Sequence, residues 1–437
     1  MLLVDRGYDA HWIGELARRQ GVRANIAPKR NRSTRSASAR TCVARNLVER
    51  FVNKIKQCCR IAIRYDKLAA SYLAFVKLAS IRICVLIEST AWNSMFPMFF
   101  TSDVLRRSFG RLLDHAGLAP QEAAWHSVLK QSDLQLRRYG HDAGTAGAIL
   151  IVPAPIKRPY IFDLLPQVSV VRRLTEAGFS VYLSDWCEGE GASGDLGASV
   201  GSLGIALERI ASGHGRAPIL IGHSLGGTLA AILAAIEPHR VDKLVLVEAP
   251  LRFGEQTGAL RSITAYPDSW LFGGTVEAIP GSLLGLASIA AAPEEFAFGH
   301  WSDAWASLPD PEAFAIHSRV IRWSLDEFAP PAQLLQSVVD LLYRQDQFAR
   351  NELRLFGRVA GAASLAEIPV AAIVDHTSRV APPASTLEPL RNPTVFSYEP
   401  EIGVGLQHVG PLVGRRAHRE IWPRVIDWMR GAHRQSR

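Results

Sequence analysis

The chain has 437 residues, 48% of them hydrophobic and 21% charged, with a formal net charge of +8. That content excludes a disordered chain and supplies a sizeable core in two or more units. No apolar run reaches bilayer-spanning length: the best, residues 78–87, is short and contains Arg82. Five cysteines (Cys42, Cys58, Cys59, Cys84, Cys187) follow no framework spacing, and the first residues lack a secretory pattern. The expected setting is therefore reducing and cytoplasmic.

Charge is unevenly spread. Residues 1–90 hold 18 Lys and Arg against 6 Asp and Glu, while the rest hold 31 against 35. A basic head on a slightly acidic body implies that only the head has a polyanion partner. Residues 26–41, "IAPKRNRSTRSASART", are Ser-rich, basic and unpatterned, hence a loop. After them comes a helix-like pattern in which Arg45, Glu49 and Lys56, four and seven apart, share one face. By spacing alone that face is a solvated surface.

The stretches "LLVDRGYDA", "RNLVERFVNKIKQCCRIAIRYDK" and "YLAFVKLASIRI" resemble the C-terminal part of a DDE-type insertion-sequence transposase. That family ends on a Tyr-x2-Arg-x3-Glu-x6-Lys helix. Arg45, Glu49 and Lys56 match it, and Cys42 stands where the Tyr is expected. The resemblance makes Asp5 the second catalytic aspartate and Glu49 the acidic third residue. No segment corresponds to the first aspartate, so residues 1–92 are expected to be a truncated remnant. Two carboxylates do not assemble a two-metal phosphodiester site. Weak, nonspecific, salt-sensitive DNA binding by residues 1–90 is the expected residual property.

Residues 91–100 read as a junction, and 93–145 as a helical lead-in, with two or three amphipathic helices across 101–145. From about 146 the pattern changes. Apolar runs at 147–155, 179–186, "PILIGH" and 243–250 alternate with helical patterns at 167–178, 201–213 and "LGGTLAAILAAIEP". Near-continuous apolar strands alternating with helices predict a parallel sheet covered on both faces.

Within that alternation, Gly222-His223-Ser224-Leu225-Gly226 falls between a strand and a helix. A chain that bends so sharply lifts the Ser224 hydroxyl above the sheet. The helix N-terminus behind it then faces developing negative charge. Small flanking residues let strand and helix approach. A serine nucleophile requires a base and an orienting carboxylate. Asp375 closes the strand pattern 369–374, and His408 sits in a glycine-rich loop after the next strand, so Ser224, Asp375 and His408 follow the α/β-hydrolase order. His376, adjacent to Asp375, His223, at the variable elbow position, and Asp340 and Asp346, in a helical pattern, are weaker candidates. For the oxyanion hole the expected donors are the N–H groups of Leu225 and Ile156, with Lys157 second, because Pro153 and Pro155 have none. This chemistry calls for no metal or cofactor.

Three longer stretches, "IVPAPIKRPYIFDLLPQVSVVRRLTEAGFSVYLSDW", "HSRVIRWSLDEFAPPAQLLQSVVDLLYRQDQFARNEL" and "HVGPLVGRRAHREIWPRVIDWM", resemble polyhydroxyalkanoate synthases, in order, over most of 146–432. The resemblance implies an α/β-hydrolase domain over 146–437 with a cap inserted at about 251–365, preceded by a small, mostly helical segment. It also implies polyester growth from hydroxyacyl-CoA on a nucleophilic cysteine, with an aspartate and a histidine at positions matched by Asp375 and His408. Ser224 replaces that cysteine, and Trp186-Cys187 replaces the usual Trp-Gly. Cys187, after a different strand, does not substitute for it.

Thiolate attacks thioesters and leaves readily; an acyl-serine is typical of esterases. The leading expectation is a serine hydrolase or acyltransferase acting on acyl esters or acyl-CoA. A serine-based synthase, a DNA-binding fusion and a polyester-granule binder are the alternatives. For the head, the purified chain is expected to show no metal-dependent cleavage of terminal-repeat DNA; cleavage in a nicking assay would overturn the remnant reading.

Overall fold

The computed structural model describes residues 98–140, 144–187, 194–254, 258, 260–261 and 277–431 in full, and the backbone of 2–4, 24–26 and 89–97. The chain divides into two compact units, Met1–Trp92 and Asn93–Arg437. In the first, β1 (Leu2–Val4) and β2 (Ala24–Ile26) pair in parallel. Asp5, Arg45, Glu49 and Lys56 lie outside the described residues.

The second unit is built on one eight-stranded sheet of order β12-β11-β8-β7-β5-β6-β4-β3. Its strands are β3 (Trp125–Lys130), β4 (Leu134–Tyr139), β5 (Gly147–Val152), β6 (Phe179–Trp186), β7 (Ile219–His223), β8 (Leu244–Val247), β11 (Val370–Asp375) and β12 (Thr394–Tyr398). From β6 to β12 every neighbouring pair is parallel. The expected mostly parallel sheet is thus present, and the fold is that of the α/β hydrolases. Alternate residues of the central strands enter opposite cores. Leu150, Val152, Leu220 and Leu246 pack on one face, against α3 (Leu196–His214) and α4 (Leu225–Ile236). Ile149, Ile151, Ile221 and Val247 pack on the other, with α2 (Val170–Glu176). Both faces are buried, which is why these strands read as unbroken apolar runs.

The helices expected across 101–145 require correction. Helix α1 (Ser89–Leu113) runs into a short π-helical turn ending at Leu118, and β3 and β4 then form an antiparallel hairpin. The hairpin extends the sheet through β4, which pairs antiparallel with β6. Leu134 and Leu136 are fully buried while the intervening Gln135 is not. This two-residue period belongs to a strand.

Between β8 and β11 the chain leaves the sheet and builds the insertion: α5 (Gly281–Ala291), α6 (Gly299–Ser307), α7 (Pro311–Ser324), α8 (Ala332–Ser337) and the antiparallel pair β9 (Leu353–Leu355) and β10 (Arg358–Ala360). Asp103 of α1 ties to this insertion, accepting the N–H groups of Gly281 and Ser282 at 3.0 and 2.7 Å at the start of α5. Among the described residues no helix is long and apolar enough to cross a membrane.

Leu134→Ala and Leu136→Ala are each expected to cost about 2–5 kcal/mol in urea unfolding. Gln135→Ala should stay within about 0.5 kcal/mol. Equal effects at the three positions would contradict the hairpin packing.

Candidate active site

Strand β7 delivers the chain to Ser224 at φ 54° and ψ −133°, and α4 begins at the next residue. Left-handed backbone at a residue with a Cβ is held only when its surroundings over-determine it. Here the Ser224 N–H donates to Val247 O at 3.0 Å, and the Ser224 carbonyl accepts the N–H groups of Gly227 and Thr228 at 2.9 and 3.2 Å. Glycines permit the approach. A Cβ on Gly222 would lie 2.9 Å from Gly227 N, and one on Gly226 would collide with the Val152 and Pro153 carbonyls after β5. Ser224 is half-buried and faces a cavity of about 440 Å³.

The cavity lies between the carboxyl ends of the strands and the insertion. Leu284, Leu286, Ile289 and Phe296 line it from the insertion, Ile161 and Phe162 from the loop after β5. His408 and His223 also line it, together with Lys157, which pairs with Glu327 at 2.7 Å. Burial pushes the Lys157 ammonium down, against the pull of Glu327.

His408 is buried, and neither ring nitrogen has a hydrogen-bond partner. Burial lowers it to about 4, with the Asp375 charge acting in the opposite direction. Two contacts fix the histidine loop. The Nε2 of His223 lies 3.0 Å from the His408 carbonyl, with ring centroids 4.8 Å apart. A carbonyl only accepts, so the His223 Nε2–H is the donor, while burial lowers His223 to about 3. From α6, Asp303 accepts the N–H groups of Gly403 and Gly405, both at 2.8 Å, and contacts His317 Nδ1 at 2.8 Å.

Asp375 ends β11 and is buried. Its Oδ1 accepts the Thr377 N–H and hydroxyl, both at 2.7 Å. It reaches His408 through its charge, not through a hydrogen bond. His376 contacts Ser397 at 3.0 Å and is exposed. Sequence reasoning missed Glu248. It follows β8 at φ 46°, is fully buried, and places Oε2 3.7 Å from His408 Nδ1. Burial lifts it to about 8. The available signal was an acidic residue ending the apolar run "KLVLVE", at the strand edge where sites form in α/β sheets.

Leu225 opens α4, so its N–H has no intrahelical acceptor. Ile156 lines the cavity, but its N–H donates to Ala154 O at 2.8 Å, and the Lys157 N–H contacts the same carbonyl at 3.4 Å. Cys187 lies after β6 and does not line the cavity; burial raises its thiol.

A sheet of this order, with its serine lifted at the strand–helix bend, makes the chain an α/β-hydrolase-fold enzyme of the hydrolase or acyltransferase type. A family model described as the α/β hydrolase fold matches residues 166–287. More particularly, the chain is similar to poly(3-hydroxyalkanoate) polymerase subunits PhaC. That of Haloferax mediterranei is 29% identical over 365 residues, covering 76% of this chain and 72% of that protein. That of Haloarcula marismortui is 27% identical over 320 residues, 69% of this chain and 66% of that one. That of Thiocystis violacea is 24% identical over 322 residues, 72% of this chain and 88% of that one.

Buried neutral histidines set the acid stability. His223, His408 and His418 are depressed from 6.5 to about 3, about 4 and about 3. Below pH 6.5 the unfolded chain binds protons these residues refuse, so stability is full above that pH and falls toward pH 4, by about 1.4 kcal/mol per pH unit for each histidine. Glu248, raised from 4.5 to about 8, opposes the trend because its neutral form is the favoured one in the fold. Urea unfolding between pH 7 and pH 5 should show the decline, and His418→Gln should flatten it by one histidine's share. An unchanged slope in that variant would refute the assignment.

Proposed function

We propose that the chain is a serine-nucleophile hydrolase or acyltransferase of the polyhydroxyalkanoate synthase-like group, acting on acyl esters or hydroxyacyl thioesters through an acyl-enzyme. The observation that carries this is the opening of the elbow serine and a buried, neutral histidine into one apolar cavity. In this reading the Ser224 oxygen attacks the substrate carbonyl carbon as its proton passes to His408 Nε2. The hydrogen bond between them forms when substrate enters, since catalytic contacts that are long in ligand-free enzymes tighten on binding. Asp375 supports the imidazolium through its charge.

The Leu225 N–H is one oxyanion donor. Ile156 serves as the second once its N–H turns from the Ala154 carbonyl. Collapse of the tetrahedral intermediate expels thiolate or alkoxide, which takes the proton from His408. Water or an alcohol then attacks the acyl-serine, His408 again acting as base. A histidine lowered to about 4 is unprotonated at neutral pH and available for both steps.

The likeness to the PhaC proteins favours a second reading, a synthase that returns the acyl-serine to a growing hydroxyester rather than to water. A polyester granule is then the partner. Serine in place of the thiolate weighs toward hydrolysis. For residues 1–92 we propose, on the residue match alone, a transposase remnant with at most salt-sensitive DNA binding. We place the protein in the cytoplasm.

A fluorophosphonate probe is expected to label the chain at Ser224 and to fail on Ser224→Ala. The labelling rate should keep its plateau well below the usual histidine range, with an acid limb near pH 4. With 3-hydroxybutyryl-CoA the expected products are free hydroxyacid and CoA; polymer would establish the synthase. Labelling that survives Ser224→Ala would refute the nucleophile.

A further inference from the structure

We propose that Glu248 is a second positioning residue for His408, so that the imidazole is oriented by two carboxylates from adjacent strands rather than by Asp375 alone. The proposal deepens, and rests on, the Ser224–His408 chemistry above.

Topology is the first support. β8 and β11 are parallel neighbours, with Val247 opposite Ile373. Glu248, which follows β8, and Asp375, which ends β11, therefore emerge at the same sheet edge. The Asp375 N–H donates to Glu248 Oε1 at 2.5 Å, which commits that oxygen and aims the other. Glu248 Oε2 is buried without a hydrogen-bond partner and lies 3.7 Å from His408 Nδ1, itself buried and partnerless. Two unpartnered, complementary atoms facing one another are a costly arrangement unless they meet in the working enzyme. A shift of well under an ångström turns that approach into a hydrogen bond.

The second support is what Asp375 does instead. Its Oδ1 is engaged twice by Thr377, and no nitrogen of His408 bonds to it. The third is backbone strain. Glu248 adopts φ 46°, held there by its N–H donating to Ile373 O at 3.0 Å. Such a conformation costs on the order of 1–3 kcal/mol and clusters at functional positions.

The groups facing Glu248 are Asp375, His376, the Ser378 hydroxyl, His408 and, across from the insertion, Glu295. Burial raises Glu248, and its Oε2 is an acceptor for the Nδ1–H in the ionised form, which a neighbouring imidazolium favours. When Nε2 takes the serine proton, the Nδ1–H stays on the ring and donates to the Glu248 carboxylate, with no further proton transferred.

The test compares Glu248→Gln, Glu248→Asp, Asp375→Asn, the double variant Glu248→Gln/Asp375→Asn, His408→Ala and Ser224→Ala in the full chain. Each is read by fluorophosphonate labelling rate against pH. Glu248→Gln should slow labelling on the order of 10- to 100-fold, the rate equivalent of one hydrogen bond to a charged group. It should also remove an inflection near pH 8 that the unmodified chain shows. Glu248→Asp should restore part of the rate, which a merely structural side chain would not.

Asp375→Asn should lose less than the ~10⁴-fold seen where one carboxylate orients the histidine, and the double variant should fall to the level of His408→Ala. A Glu248→Gln protein with the native rate and native pH profile, while Ser224→Ala and His408→Ala are dead, overturns this proposal and leaves the triad standing. Native labelling in His408→Ala overturns both. If Glu248→Gln fails to fold, Glu248→Asp decides: a slowed rate with an altered alkaline limb supports the second carboxylate, and the native rate and profile overturn it.

Discussion

Ser224 has to hold a left-handed backbone conformation, and much of the domain is arranged around that requirement. The neighbouring strand supplies the Val247 carbonyl that receives its N–H, and the first turn of α4 closes on its own carbonyl. Gly222, Gly226 and Gly227 let helix, strand and the loop after β5 come closer than side chains allow. The same close approach brings the helix N-terminus to the mouth of the cavity. A conformation that costs on the order of 1–3 kcal/mol is thus maintained by several backbone contacts, none of which belongs to the serine side chain.

The histidine presents the opposite problem, a polar ring in a site that excludes water. His408 reaches the cavity on a loop clamped from two sides: His223 below binds its carbonyl, and Asp303 of the insertion binds the glycine amides before it. Burial keeps the ring neutral, which suits a base, and the nearby carboxylates determine how far that burial is offset. Because α6 supplies Asp303 and neighbouring parts of the insertion line the cavity, the insertion both covers the cavity and sets the position of His408. Cavity shape and the placement of His408 are therefore coupled through one structural element.

Lys157 and Glu327 add a buried ion pair to an otherwise apolar wall. Its ammonium also donates to the Ser324 carbonyl at 2.8 Å, at the end of α7. Such a pair adds little net stability, since desolvation offsets the attraction, but it pins the loop after β5 to the insertion. Cavity shape consequently depends on a contact between segments far apart in the chain.

Local pattern determined the order of elements from 147 to 250 and the elbow, because buried parallel strands and strand–helix bends leave composition signals that need no partner. The choice of Asp375 and His408 rested on the α/β-hydrolase chain order, and the inserted cap on the family resemblance. The hairpin of β3 and β4 escaped because its short, charged strands read equally well as helix faces until β6 supplies the surface that buries Leu134 and Leu136. Glu248 escaped for a related reason: a lone acid after four apolar residues acquires meaning only when β11 lies beside β8 and His408 descends from the other end of the domain. The engagement of the Ile156 N–H by Ala154 is a fact of loop geometry that its residue types do not specify. Sequence thus decided which groups are present and in what order. Tertiary packing decided which atoms meet, because hydrogen bonds and charge effects depend on ångström-scale separations between strands that the chain connects only through long excursions.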